Sequence, residues 1–87
     1  MATFGKHITA RRQALRLSLQ DVADRAAISK AHLWSLEQGR SDNPSIGTVC
    51  GLAVALDVDP MTLAAASVQD HMKKIKVEVT TTKRVRR

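Results

Sequence analysis

The chain is poor in most of the residues that small proteins use for staples, loops and active sites. Cys50 is its one cysteine, so no disulfide can form within it. It has no tyrosine, one phenylalanine and one tryptophan. Beyond Trp34 there is no aromatic residue, which argues against base stacking by the C-terminal part. The glycines are isolated, which excludes a glycine-rich phosphate loop. No apolar run approaches the roughly 20 residues that span a bilayer. The stretch MATFGKHITARR lacks the apolar segment of a signal peptide. His7, His32 and His71 are scattered without zinc-type spacing, and no nucleophile elbow surrounds any serine. An enzyme, a metal centre, a cofactor, a small-molecule ligand and a membrane partner are therefore not expected. The expected location is the cytoplasm, where a lone thiol stays reduced. Cys50, in an apolar helical setting with no flanking base, reads as a small core residue.

What is present is 87 residues with an uneven charge. A chain this long forms one small domain that buries only about 60% of its unfolded surface. The net charge is +6. Residues 1–70 carry seven Lys/Arg and seven Asp/Glu, while residues 71–87 carry seven Lys/Arg against Glu78 alone. Residues 1–70 thus read as a neutral domain and residues 71–87 as a basic tail. Such a tail points to a polyanion, nucleic acid more often than membrane.

The neutral part reads as five short helices. The first covers about 5–16, with Ile8, Arg12 and Leu15 on one side. SLQD starts the second with a capping-box pattern at Ser18, and Val22, Ala23 and Ala26 give it an apolar stripe over 19–26. Ala27 and Ile28 turn the chain. Ser29 caps the third helix, 30–38, and Gly39 closes it. After the polar loop RSDNPS, Ser45 caps a fourth helix whose buried face is predicted from Ile46, Val49, Cys50, Ala53 and Leu56. Asp59 caps the fifth, with Pro60 in its first turn and Met61, Leu63, Ala64 and Val68 on its apolar side. In KKIKVEVTTTKRVRR, polar and β-branched residues alternate with period two, which predicts a strand unless the segment is frayed.

Two short helices at 19–26 and 30–38, joined by a tight turn, have helix-turn-helix spacing. Here LSLQDVADRAAISKAHLWSLEQGR followed by NPSIGTVCGLAVALDVDPMTL resembles the Cro and phage-repressor (XRE) type of helix-turn-helix protein, over residues 5 to about 66. The resemblance implies an all-α, five-helix lambda-repressor-like domain with a C-terminal basic extension, and sequence-specific binding to double-stranded DNA. It also implies an internal ion pair between Arg12 and Glu37. Both residues fall where the apolar stripes would place core positions, so each demands a partner unless both are independent surface charges.

At about 100° per residue, Leu33 and Leu36 set the core direction of the third helix. Lys30, Ala31, Trp34, Ser35 and Gln38 then lie on the outer face, with Trp34 about 130° from the core direction. The resemblance implies base or nearby phosphate contacts at Ser29, Lys30, Ala31 and Ser35. Trp34 joins them as a candidate for a sugar or thymine-methyl contact, with local packing or a partner contact as the alternatives. His32 lies on a flank, open to a phosphate or to packing on the second helix. Backbone contacts are expected from Ser18, Leu19 and Gln20 at one helix start, and from Arg40, Ser41, Asn43 and Ser45 around the loop. Two features depart from the family pattern: Leu19 stands where a glutamine is common, and Asp42 puts a negative charge in the loop. Arg11 and Arg16 are candidates to compensate.

Proteins of this build usually bind near-palindromic sites as two-fold dimers. The resemblance places the homodimer contact on the fifth helix, at Met61, Ala65 and Val68. The tail adds Ile75, Val77 and Val79, as a strand pairing across the two-fold, unless KRVRR grips flanking phosphates instead. The function expected is a dimeric transcriptional repressor, answering mainly to its own concentration, as in mobile elements or restriction-modification control. An antitoxin-like protein that binds DNA and a protein partner, or an RNA-binding protein using the tail, are the alternatives.

Overall fold

The computed structural model describes the backbone of residues 3–41 and 44–86, and the side chains of those through Ile75. Its elements are α1 (Thr3–Ala14), α2 (Leu19–Ala26), α3 (Lys30–Glu37), α4 (Ile46–Leu56) and α5 (Pro60–Arg86). The fold is all-α, as the sequence implied, and α2 and α3 fall within one residue of their predicted ends.

Local chemistry fixes the helix starts. Ser18, Ser29 and Ser45 each accept a hydrogen bond from the backbone N–H three residues on, at 3.0–3.1 Å. Asp59 does the same for Thr62 N. Each satisfies one of the donors that a helix N-terminus leaves open. Left-handed residues fix the ends: Arg16 (φ 57), Ala27 (φ 60), Gly39 (φ 75) and Asp57 (φ 55) follow α1 to α4 in turn. Only Gly39 occupies that conformation without a Cβ penalty.

Ile8, Val22, Leu33, Leu36, Leu52, Leu56 and Leu63 are fully buried and join all five helices in one core. Two tertiary caps tie distant helix ends together. The Asp70 carboxylate on α5 accepts from Thr3 N and Phe4 N at the start of α1, both at 2.9 Å. Arg11 on α1 donates from Nε to Leu56 O at 2.8 Å and from Nη2 to Asp57 O at 3.3 Å, covering the end of α4.

The structure corrects several expectations. α1 begins and ends two residues earlier than predicted, so Phe4 enters the core and Leu15 lies outside it. On α4 the buried stripe runs through Val49, Leu52, Ala53 and Leu56, whereas Ile46 and Cys50 are exposed. On α5, Leu63 and Ala66 are buried, while Met61 and Val68 are exposed. In both helices the buried side takes in only part of the apolar positions, and on α4 it is turned toward Leu52 and Ala55. The strand predicted in the tail is helix: α5 continues without a break through residue 71 to Arg86. A lone strand would leave its N–H and C=O groups unpaired, whereas a continued helix pairs them internally. Arg11, a candidate for reaching DNA, is held on the end of α4 instead.

Candidate nucleic-acid interface

The α2–turn–α3 unit begins at a reciprocal capping box. Asp21 N donates to Ser18 Oγ and Ser18 N donates to Asp21 Oδ2, both at 3.0 Å. The bond from Ser18 N–H holds the exposed Asp21 carboxyl below its ordinary pKa. Helical geometry leaves the first-turn N–H groups of Leu19 and Gln20 without internal acceptors, so this end favours an anion. Their side chains are otherwise engaged. Leu19 packs against the core, and Gln20 Nε2 donates to Asp24 Oδ1 at 2.8 Å.

α3 presents one face outward. Lys30, Ala31, Trp34 and Gln38 are exposed, while Leu33, Leu36 and Glu37 are buried. Trp34 retains 42% of its surface, so its indole lies off the core. His32 and Ser35 are half-buried, and Ser29 is exposed with its Oγ serving as the cap. Ser35 lies deeper than its helical angle implied, because the chain after α3 folds back upon it.

That return has defined geometry. Gly39 N donates to Leu36 O at 3.2 Å and Arg40 N donates to Ser35 O at 2.9 Å. This is the double bond pattern of a Schellman closure, with Gly39 in the left-handed position. It carries the Arg40 side chain over the Trp34 ring, with Cζ 5.0 Å from the ring centroid. Ser41 follows half-buried. The expected contributions of Asp42 and Asn43 lie outside the described residues. Ser45 Oγ is committed to its helix, accepting from Thr48 N and donating to Thr48 Oγ1 at 3.0 Å. Arg16 is exposed.

Behind this face Arg12 and Glu37 form a two-pronged pair. Arg12 Nε donates to Glu37 Oε2 at 2.7 Å and Nη2 donates to Oε1 at 3.0 Å. Arg12 Nη1 also donates to Leu17 O at 3.1 Å. The hydrogen bond to Glu37 raises the arginine pKa further. The pair locks the last turn of α3 to α1, and so fixes the rotation of the outer face.

On α5, Met61, Ala65 and Val68 are exposed and Ile75 is half-buried; the side chains of Val77 and Val79 lie outside the described residues. Met61 and Val68 line an apolar groove of about 440 Å³ between α4 and α5. The groove also takes in Ile46, Cys50 and Met72, which the sequence did not mark as surface. The spacing of Ile46 and Cys50 by four residues places them on one helix flank, but cannot say whether that flank is covered. Among the described residues, no helix is long and apolar enough to cross a membrane. Among them too, no group of three His, Cys, Asp or Glu side chains could hold a metal ion.

Comparison with known proteins agrees with this geometry. A family model described as a helix-turn-helix domain matches residues 3–66. Among solved structures, the chain is similar to the restriction-modification controller protein C.AhdI from Aeromonas hydrophila. The identity is 29%, over 71% of this chain and 92% of that one, with a TM-score of 0.67. It is also similar to the N-terminal DNA-binding domain of SinR from Bacillus subtilis, at 31% identity over 74% of this chain and 93% of that one, with a TM-score of 0.68. A crystal structure of SinR, described as the master regulator for biofilm formation, in complex with DNA matches at 33% identity. It covers 70% of this chain and 97% of that one, with a TM-score of 0.66. A search of curated proteins found no match. With a helix pair of this geometry inside a domain matched from residue 3 to 66, the chain belongs to the helix-turn-helix family of DNA-binding transcriptional regulators of the Cro and XRE type.

Proposed function

We propose that this chain is a cytoplasmic transcriptional repressor that binds a near-palindromic operator as a homodimer, with α3 in the major groove. The observation that carries this is the free outer face of α3, held at fixed rotation by the Arg12–Glu37 pair. Ser29, Lys30, Ala31 and Ser35 supply the base-edge contacts. Lys30 donates to guanine O6 or N7, the Ala31 methyl meets a thymine methyl, and Ser35 donates or accepts. Trp34 flanks them. None of the four is an arginine or glutamine able to make a bidentate base contact, so sequence preference also draws on DNA shape and bridging water. The first turn of α2 (Ser18, Leu19, Gln20), His32 and the segment from Arg40 to Ser45 take the phosphates.

The exposed apolar side of α5, with Met61, Ala65 and Val68, meets the same surface of a second copy. The groove beside it extends that contact onto Ile46 and Cys50 of α4. C.AhdI, a restriction-modification controller, and SinR, seen bound to DNA, support this reading by similarity. The basic extension, residues 71–87, adds positive charge that favours flanking phosphates.

The test is a fluorescence titration with duplex DNA from upstream of the protein's own gene, at two salt concentrations. Tight binding to one two-fold symmetric segment, weakening with salt, is expected. Equal affinity for that segment and for random duplex would reject the proposal.

A further inference from the structure

We propose that Trp34 acts on DNA through Arg40: its ring is a platform that holds the guanidinium in position to take a backbone phosphate. This rests on the DNA-binding function proposed above. The opening observation is the 5.0 Å separation between Arg40 Cζ and the Trp34 ring centroid. An arginine on a surface usually samples many rotamers and pays in entropy whenever it binds. Here both ends are fixed. The backbone of Arg40 is set by its N–H bond to Ser35 O and by Gly39 in the left-handed conformation. The guanidinium is set by cation–π attraction to the indole face.

The arrangement follows from the way α3 ends. A Schellman closure brings the residue after its left-handed glycine over the last turn of the helix, where an apolar contact commonly completes it. In this chain the residue brought back is an arginine, and the side chain beneath it is tryptophan. A stacked guanidinium keeps its N–H edge free, and that edge matches the two oxygens of a phosphate. Its place also fits a backbone contact better than a base contact. Arg40 lies beyond the C-terminal end of α3, whereas the N-terminal end of a recognition helix enters the groove. With one face covered by Arg40, the indole is a positioning group for a phosphate ligand, and the wild-type base preference does not depend on it.

The test measures affinity and its salt dependence with the upstream duplex for the wild type, Trp34→Ala, Trp34→Phe, Arg40→Gln and the double variant Trp34→Ala/Arg40→Gln. Arg40→Gln should reduce the magnitude of the log–log salt slope by about 1.8, the loss of one phosphate contact in each half-site. Trp34→Ala should weaken binding about tenfold, the size of two exposed cation–π contacts, one in each half-site, and lower the slope in the same direction. Trp34→Phe should restore both, since any aromatic face can serve. Trp34→Ala should add nothing once Arg40 is gone. Additive losses, or a changed base preference with an unchanged slope in Trp34→Ala, would overturn the positioning role and leave DNA binding standing. Absence of duplex binding by the wild type would overturn the proposed function, and this role with it.

Discussion

At the scale of single residues, the Arg12–Glu37 pair decides how α3 is held. Glu37 is 4% exposed and Arg12 16%, measured on the side chains. The two partners are therefore not equivalent. Arg12→Met strands a buried carboxylate and should cost about 3 kcal/mol of stability. Glu37→Ala leaves an arginine that can still reach water and Leu17 O, so it should cost less. Urea melts of both variants check this; equal costs would mean that the pair is not set by the burial of Glu37. Asp70 offers a second test. Burial pushes its pKa up, but the hydrogen bonds from Phe4 N and Thr3 N outweigh this and leave it below the ordinary carboxylate value. Its stabilising effect is then complete above about pH 4, the usual unfolded value, and is lost as pH falls from there through the folded pKa. The melting temperatures of the wild type and Asp70→Asn should differ by a constant amount from about pH 5 upward and converge at lower pH. The ion-pair residues were legible in the sequence because two charges interrupted apolar stripes at matching places. Asp70 and Arg11 were not, since a charge that caps a helix distant in sequence leaves no local pattern.

At the scale of elements, helix starts were easier to read than helix ends. Ser18, Ser29, Ser45 and Asp59 are residue types whose side chains favour capping, and each one caps. Of the four left-handed ends only Gly39 carried a glycine signal; Arg16, Ala27 and Asp57 adopt the same conformation at a cost. Ala27 is exposed, so a glycine there gives up little buried surface. Ala27→Gly should therefore stabilise the protein by about 0.5–1 kcal/mol, the left-handed penalty less the added entropy of the unfolded chain. A lowered melting temperature would contradict this account of the α2–α3 turn. At the other side of α3, Gly5 lets α1 approach closely: a Cβ there would lie 2.6 Å from Leu36 O and 2.7 Å from Glu37 O. That constraint was invisible in the sequence, as was the helical state of the tail. Alternation in a charged β-branched segment specifies a strand only if a partner strand exists, and α5 instead continues from a helix already nucleated at Asp59.

At the scale of the whole molecule, the outer face of α3 and the apolar side of α4 and α5 are distinct surfaces of one small core. On the proposed function, the first meets DNA and the second meets another copy of the chain. Val68→Asp, at a position 58% exposed, should leave the monomer folded and abolish the dimer in sedimentation experiments. It should also reduce operator affinity, because two half-sites would no longer be engaged together. A variant that remains dimeric would move the interface away from α5. Whether α3 reads sequence is tested most directly by selection of binding sites from a random duplex pool by the wild type and by Lys30→Ala. The wild type should enrich a two-fold symmetric site. Lys30→Ala should select a site altered at one base pair in each half, with the flanking preferences intact. An unaltered motif from Lys30→Ala, or no enriched motif from the wild type, would contradict the account.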